Sequence, residues 1–302
     1  MWQGTLFSLL SGIAFGMLGV LAKLGYAQKM PVDLVLQCRF LFGAAFMFLF
    51  LLVWRRRLLR IDLRGLAMVA AIGMLLYHAQ SSFFFRSVEH IPVSTTVLIL
   101  YGYPVTVTLL SAVLYKLRLT RLLVLSLILV TAGCGLICYD AFLRELSPEG
   151  LLYAFGALSC FTFYLLLVQK VMKGRHPLSV SFYMILFTGL SFLLQPGPGY
   201  LASLRVSNLP VALGLGLVPT ALAITLLFLA IERIGSAHAA IFSSSEPVAA
   251  LLAAQVILGE PIIMLQALGM LLILAGVVLP NVNAAIILRR TARSGGGGSN
   301  ET

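Results

Sequence analysis

Long apolar stretches follow one another along almost the whole chain, separated by short polar connections. Each stretch holds about 20 residues, the length that an α-helix needs to cross the hydrocarbon core of a bilayer. The pattern therefore predicts spans at 4–22, 32–54, 65–85, 92–114, 122–140, 150–169, 177–195, 208–230, 236–258 and 262–284. We expect an all-α polytopic membrane protein with ten transmembrane helices.

The composition supports this fold class. Hydrophobic residues make up 60% of the 302 positions and charged residues only 10%, whereas soluble domains average about 45–50% and about 25%. This balance excludes a soluble enzyme and a disordered chain. The four cysteines lie in apolar runs without CxxC spacing and are expected to pack as small hydrophobic residues.

The net charge of +11 is placed in a way that indicates membrane orientation and no nucleic-acid partner. Basic residues cluster in the connections, without the stacking aromatic residues that a nucleic-acid surface needs. With the N-terminus inside, 15 of the 21 cations fall in the even-numbered connections and the tail, and five, including Arg144, in the odd-numbered ones. Because Lys and Arg are retained on the cytoplasmic side, we expect both termini in the cytoplasm of a cell with this protein in its inner membrane.

An internal repeat divides the chain into 1–145 and 146–290. At an offset of 143 residues, Pro104 aligns with Pro247 and Gly133 with Gly276, and at 146 Pro31 aligns with Pro177. Five spans per half is an odd number, so the second half would enter the membrane from the opposite side. Inverted repeats of this kind are a recurring architecture of secondary transporters. Residues 291–302 have the composition of a glycine–serine linker and are left out of the fold.

One segment of the second half resembles a known signature. The run Ser244-Ser-Glu-Pro-Val-Ala-Ala, then Ile257-Leu-Gly-Glu-Pro261, Gly269 and Leu274-Ala-Gly-Val277, resembles the second repeat of the EamA-type drug/metabolite transporters. Residues 93–137 are similar, with Tyr115-Lys116-Leu117 in place of the Gly-Glu step. The resemblance, over residues 4–288, implies ten helices in two inverted halves and transport of small metabolites. YddG-like amino-acid exporters fit this pattern, although no quoted residue is diagnostic of that branch.

Polar residues within the spans are candidates for substrate binding, because they are costly in lipid unless they face protein or water. Span 3 offers Tyr77, Gln80, Ser81 and Phe84 on one helical face and His78 on the adjoining one. Rings beside hydrogen-bonding groups suit an organic zwitterion or cation. The alternative is an interior helix whose polar groups bond to its neighbours, and for His78 a neutral hydrogen-bonded role is favoured over proton coupling.

The fourth span of each half carries the second group of candidates. Glu246 is the only acid deep in a span; it could bind a substrate ammonium, carry a proton or tie helices together. Pro247 is expected to bend span 9, with serines satisfying the freed carbonyl. Its repeat partner Pro104 would do the same in span 4. Tyr101 and Tyr103 align with Ser244 and Glu246, so we expect these positions to face each other across a site to which span 6 adds Tyr164.

Two further residues are open to more than one interpretation. Arg39 could hold a substrate carboxylate, but snorkelling of its side chain to the membrane interface is the favoured interpretation. Gly12 and Gly16 form a GxxxG pair that indicates close helix packing.

These features predict a secondary transporter of small metabolites, foremost amino acids including aromatic ones. A quaternary-cation transporter and a lipid-handling scaffold subunit are the alternatives. The chain has no phosphate-binding Gly-Lys-Ser/Thr loop, no grouping with metal-ligand spacing and no acid pair within one span. We therefore expect no cofactor and no enzymatic activity. Alanine at Tyr77, His78 or Glu246 is expected to reduce transport if these residues line one cavity.

Overall fold

The computed structural model describes residues 2–139, 146–195 and 197–295, giving only the course of the helix for 281–295. Arg144 and residues 296–302 lie outside the described residues. The described part of the chain is helical and contains no strand. Its main helices are α1 Trp2–Ala27, α2 Val32–Trp54, α3 Leu63–His90, α4 Val93–Leu100, α5 Tyr103–Leu114, α6 Arg121–Ile137, α7 Pro148–Val171, α8 Pro177–Leu194, α9 Val206–Ser243, α10 Glu246–Leu258 and α11 Met264–Gly295.

Among the described residues, seven segments are long and apolar enough to cross a membrane. They are α1, α2, α3, the run Val93–Leu114 that contains α4 and α5, α7, α8 and α9. Three shorter apolar helices, α6, α10 and Met264–Pro280, account for the other predicted spans. The prediction of an all-helical, multi-pass membrane protein is confirmed, and the figure of ten crossings stays a prediction.

The helix starts follow local sequence signals. The Asp62 carboxylate accepts a hydrogen bond from the Gly65 backbone N–H at the start of α3, at 2.9 Å. The hydroxyl of Thr120 accepts from Leu123 N–H at the start of α6, at 3.2 Å. Such caps satisfy backbone donors that have no partner in the first turn of a helix.

The boundary between the predicted spans 208–230 and 236–258 is wrong. The sequence predicts a short loop there, but the helix continues through Glu232 and Arg233 and changes direction only at Gly235. Gly235 has φ 75° and ψ 163°, a conformation that a residue without a Cβ adopts at little cost. The last eight residues of α9, 236–243, therefore form a separate short arm.

This short arm and α10 repeat the geometry of α4 and α5. In both cases an eight-residue helix ends, two residues interrupt it, and a second helix begins. The interrupting residues Tyr101 and Gly102 have φ/ψ of −66°/0° and −68°/−10°; Ser244 and Ser245 have −66°/3° and −65°/−14°. The offset is 143 residues, the same offset that aligns Pro104 with Pro247.

Contacts between the halves recur at the repeat offsets as well. A Cβ built on Gly4 would lie 2.6 Å from Ile234, and one on Gly150 would lie 2.6 Å from Ile91. These pairs are related by 146 and 143 residues. In the same way Gly133 approaches the carbonyl of Gly269 (2.6 Å), and Gly276 approaches that of Ser126 (2.9 Å). Each half thus presents equivalent positions to the other.

Three ion pairs join connections between the helices. They are Lys23–Glu260 at 2.6 Å, His90–Glu149 at 3.8 Å and Arg175–Asp62 at 2.5 Å. Each links two connections that the ten-span topology places on the same side of the membrane. Asp62 accepts from Nε and Nη2 of Arg175, and these hydrogen bonds hold the pKa of its carboxyl well below the usual range.

Candidate functional site

Arg39 points into the protein interior, although its snorkelling to the interface was the favoured interpretation from sequence. Its side chain is 8% exposed. Its Nε donates to the Thr220 hydroxyl at 3.1 Å and its Nη2 to the Tyr77 hydroxyl at 3.3 Å. The guanidinium carbon also lies 4.9 Å from the centre of the Phe40 ring. The snorkelling interpretation is therefore wrong.

The two hydroxyls that bind Arg39 sit on two interruptions of regular α-helix. Tyr77 ends the π-helical turn Ile72–Tyr77 of α3, and Thr220 lies in the π-helical turn Leu217–Leu222 of α9. They are 143 residues apart and so occupy equivalent positions of the repeat. Such turns are uncommon and frequently mark functional sites.

Local sequence explains the turn in α9. Pro219 lacks a backbone N–H, so the carbonyl four residues earlier, on Leu215, loses its usual partner. The Thr220 hydroxyl donates to this carbonyl at 2.8 Å. In α3, the carbonyl of Gly73 accepts from the Thr188 hydroxyl of α8 at 3.2 Å. Side chains thus satisfy backbone groups that the π turns leave open.

The two helix interruptions bring Tyr103 and Glu246 to the same region. Pro104 and Pro247 are the second residues of α5 and α10, where proline costs no helical hydrogen bond. The predicted bend in span 9 is present as this interruption. The Ser244 hydroxyl donates to the Ala240 carbonyl at 3.0 Å, as expected for a serine that satisfies a freed carbonyl. The Tyr103 hydroxyl interacts with the side chains of Ser243 and Ser244.

Glu246 is the acid of this region, and it is partly buried at the first residue of α10. Within the described residues its carboxylate makes no hydrogen bond or ion pair. Arg39 acts on it electrostatically, and the Tyr77 hydroxyl feels the charge of both residues. Tyr101 and Tyr103 lie within electrostatic range of Glu246 as well. One positive and one negative side chain therefore share this buried region without direct contact.

Aromatic rings form a continuous wall between these charges. Tyr77 stacks on Tyr164 with ring centres 4.6 Å apart, Tyr164 on Phe161 at 5.8 Å, and Phe161 meets Tyr103 edge-on at 5.0 Å. Tyr164 is 1% exposed, and its hydroxyl is buried without a hydrogen-bond partner among the described residues. We call Arg39, Tyr77, Tyr103, Tyr164 and Glu246 the central cluster.

Two predicted residues are not brought into the central cluster. The His78 ring stacks on Phe192 at 4.4 Å, and its Nδ1 lies 3.0 Å from the Ser191 hydroxyl of α8. The Ser81 hydroxyl donates to the side chain of Gln80 at 3.3 Å. Both residues thus bond to neighbouring helical groups. For His78 this agrees with the hydrogen-bonded role favoured from sequence.

Helix α1 packs directly against the interruption that precedes Glu246. A Cβ on Gly12 would lie 2.7 Å from the Ser243 carbonyl oxygen, and one on Gly16 would lie 2.9 Å from that of Glu246. The GxxxG pair therefore permits close helix packing, as the sequence indicates. Its partner is the segment that positions Glu246.

A groove of about 650 Å³ lies away from the central cluster, between the α7–α8 connection and the kink of α9. Its lining consists of Gln169, Met172, Lys173, Gly174, Arg175, His176, Ile231, Glu232 and Gly235. None of these is a predicted site residue. Among the described residues no group of three or more His, Cys, Asp or Glu side chains could hold a metal ion.

Thr220 and Phe161 were not among the committed site residues, and Arg39 was placed outside the site. Phe161 stands in the aromatic run of span 6. Thr220 had a usable signal, because it follows a proline within an apolar span and aligns with Tyr77 at the repeat offset.

Apolar helices around a buried cluster of opposite charges and aromatic rings define a multi-pass membrane protein with a site for a small polar molecule. Comparison with known proteins places this chain in such a class. The sequence model of the EamA-like transporter family matches residues 2–139 and again residues 148–282. The chain belongs to this family and is a transporter of small molecules.

Individual relatives agree with this assignment. The chain is 26% identical over 299 residues to "Uncharacterized transporter YwfM" of Bacillus subtilis (strain 168), an alignment covering 96% of this chain and 97% of that protein. It is also similar to a crystal structure with a TM-score of 0.79 and 20% sequence identity, covering 94% of this chain and 98% of the other. That likeness shows the shared fold.

Proposed function

We propose that this protein is a secondary transporter of amino acids, including aromatic ones, that works by alternating access across the cell's inner membrane. The observation that carries the proposal is the pairing of Arg39 and Glu246. They are opposite charges in one aromatic-walled region, and neither makes an ion pair among the described residues. An amino acid carries the complementary two charges, and an aromatic side chain can stack on the tyrosines.

The proposed architecture is a pair of inverted five-helix halves, 1–145 and 146–290, with both termini in the cytoplasm. The family model matches each half separately, and contacts between the halves recur at the repeat offsets. The ion pairs join connections assigned to the same side. Alternating access then follows from rocking one half against the other around a central site.

Each site residue has a proposed role. Arg39 and Glu246 bind the charged groups of the substrate, and Tyr77, Tyr101, Tyr103 and Tyr164 form the aromatic surroundings. Ser244 shapes the interruption before α10. Pro104 and Pro247 fix the points at which the half-helices α5 and α10 begin, so that these can tilt as units. His78 and Ser81 support helix packing beside the site.

A buried arginine disfavours the quaternary-cation alternative. A guanidinium that is 8% exposed would repel a permanently charged ammonium with no carboxylate of its own. A lipid-handling scaffold would have no use for two buried charges, which cost about 2.5–3.5 kcal/mol each at the bilayer centre on insertion scales.

The proposal is tested with proteoliposomes that contain this protein alone. We expect uptake of radiolabelled phenylalanine and other large amino acids that saturates and exceeds that of protein-free liposomes. Choline provides the comparison for the quaternary-cation alternative. Absence of flux for all amino acids, with choline transported, would replace the proposal by that alternative.

Adjacent residues of α3 provide a matched pair of variants. Tyr77→Phe keeps the ring but removes the hydroxyl that accepts from Arg39, and we expect phenylalanine uptake to fall about tenfold. His78→Asn lies outside the central cluster and should leave uptake within about twofold of wild type. Uptake rates normalised to protein in the membrane measure both. A larger loss for His78→Asn than for Tyr77→Phe would contradict the proposed site.

A further inference from the structure

The hydrogen-bonding capacity of Arg39 is only partly used. A guanidinium has five N–H donors. In the described residues two of them have protein partners, the hydroxyls of Tyr77 and Thr220. Both partners are neutral, so the positive charge is buried without a compensating anion at hydrogen-bond distance. A buried cation with free donors is costly unless an anionic group binds there.

Tyr164 offers a further unused donor in the same place. Its hydroxyl is buried and has no hydrogen-bond partner among the described residues. Its ring stacks on Tyr77, whose hydroxyl accepts from Arg39, and Tyr164 itself lies within electrostatic range of Arg39. A planar anion bound to the guanidinium can therefore accept from Tyr164 as well. A carboxylate has the oxygens for both contacts.

Glu246 supplies the opposite pole. Its carboxylate makes no hydrogen bond or ion pair in the described part of the chain, and the aromatic wall from Tyr77 to Tyr103 separates it from Arg39. The two charges also come from different halves, Arg39 from α2 and Glu246 from α10. A ligand that reaches both must carry an anion and a cation.

We infer that Arg39 and Tyr164 bind the α-carboxylate of the substrate and that Glu246 binds its α-ammonium. This assignment rests on the proposed function and adds which groups are recognised. The substrate class is then the free α-amino acid with both charged groups unmodified. Amines and carboxylic acids that carry only one of these groups are poor ligands, because each leaves one buried charge of the protein unpaired.

The position of Arg39 fits a role in both access states. Its two hydroxyl partners, Tyr77 and Thr220, occupy equivalent positions in the two halves. A residue held between equivalent points of both halves keeps a partner on each side when the halves rotate. The substrate carboxylate can thus stay bound to Arg39 while the access route changes.

The test is a matrix of ligands and variants, measured by equilibrium binding to the purified full-length protein. The ligands are L-phenylalanine, 2-phenylethylamine, which lacks the carboxylate, 3-phenylpropionate, which lacks the amine, and choline. For the wild type we expect phenylalanine to bind at least about tenfold more tightly than either truncated analogue. Arg39→Gln should remove its advantage over 2-phenylethylamine, and Glu246→Gln its advantage over 3-phenylpropionate.

Controls separate a charge effect from misfolding. Glu260→Gln and Arg233→Gln change exposed charges outside the central cluster and should leave the whole ranking unchanged. If a site variant does not fold, the wild-type ranking still decides, because equal binding of phenylalanine and both truncated analogues overturns the assignment. It is also overturned if both site variants weaken all ligands by one common factor.

Failure of the proposed function gives a different result. Preference of the wild type for choline over phenylalanine would refute amino-acid transport itself. Tight phenylalanine binding that depends on neither Arg39 nor Glu246 would refute only the assignment of the two charged groups.

Discussion

Glu246→Gln should lower phenylalanine uptake into proteoliposomes by about 100-fold. The substitution keeps the shape of the side chain and removes its negative charge, so it tests charge and not packing. A 100-fold loss corresponds to about 2.7 kcal/mol, which is within the range for losing a charged hydrogen-bond partner in a buried site. The measurement is the initial rate of uptake at subsaturating substrate, normalised to reconstituted protein.

Glu260→Gln is the matched control for this loss. Glu260 lies in the connection before α11, its side chain is 47% exposed, and it pairs with Lys23 at 2.6 Å. Exposed ion pairs contribute about 0–1 kcal/mol, so uptake should remain within about twofold of wild type. Wild-type uptake in Glu246→Gln, with the protein correctly inserted, would remove Glu246 from the substrate site.

The sequence pattern was sufficient for the helices and for the two interruptions. Apolar runs of about 20 residues have few alternatives to helix in a membrane, and Pro104 and Pro247 mark where α5 and α10 begin. The offset of 143 residues predicted that both interruptions share one geometry, and the backbone angles of Tyr101 and Ser244 agree within a few degrees. Local chemistry was enough at these points because proline restricts the backbone directly.

The orientation of Arg39 could not be predicted in this way. Helix α2 is apolar on nearly all sides, so its sequence does not show which face packs against protein and which faces lipid. Burial of Arg39 depends on Tyr77 and Thr220, which are 38 and 181 residues away. Snorkelling is the general behaviour of long basic side chains near helix ends, and tertiary contacts overrode it here.

The separation of Tyr77 from His78 also depended on three-dimensional structure. The π-helical turn ends at Tyr77 and α-helix resumes at His78, so the ideal helical spacing used for span 3 does not hold across this point. Tyr77 faces Tyr164 of α7, while His78 faces Ser191 of α8. A helical face drawn with regular spacing therefore joined residues that contact different helices.

Gly12→Leu should cause the largest loss of stability. The space beside Gly12 is filled by the backbone of the interruption, because even a Cβ there would lie 2.7 Å from the Ser243 carbonyl oxygen and 3.2 Å from the Glu246 nitrogen. Overpacking costs typically about 1–3 kcal/mol, and backbone atoms can move less than side chains. We expect the melting temperature in detergent to fall by about 10 °C and uptake to be lost, since α1 would displace the start of α10.

Gly19→Leu, seven residues further along α1, provides the comparison, because a Cβ on Gly19 would meet no other atom within 4 Å. The same leucine there should leave the melting temperature within a few degrees of wild type. Equal melting temperatures for the two variants would show that close contact at Gly12 does not hold α1 against the interruption. Loss of uptake in Gly12→Leu at an unchanged melting temperature would instead indicate that α1 positions Glu246 without stabilising the fold.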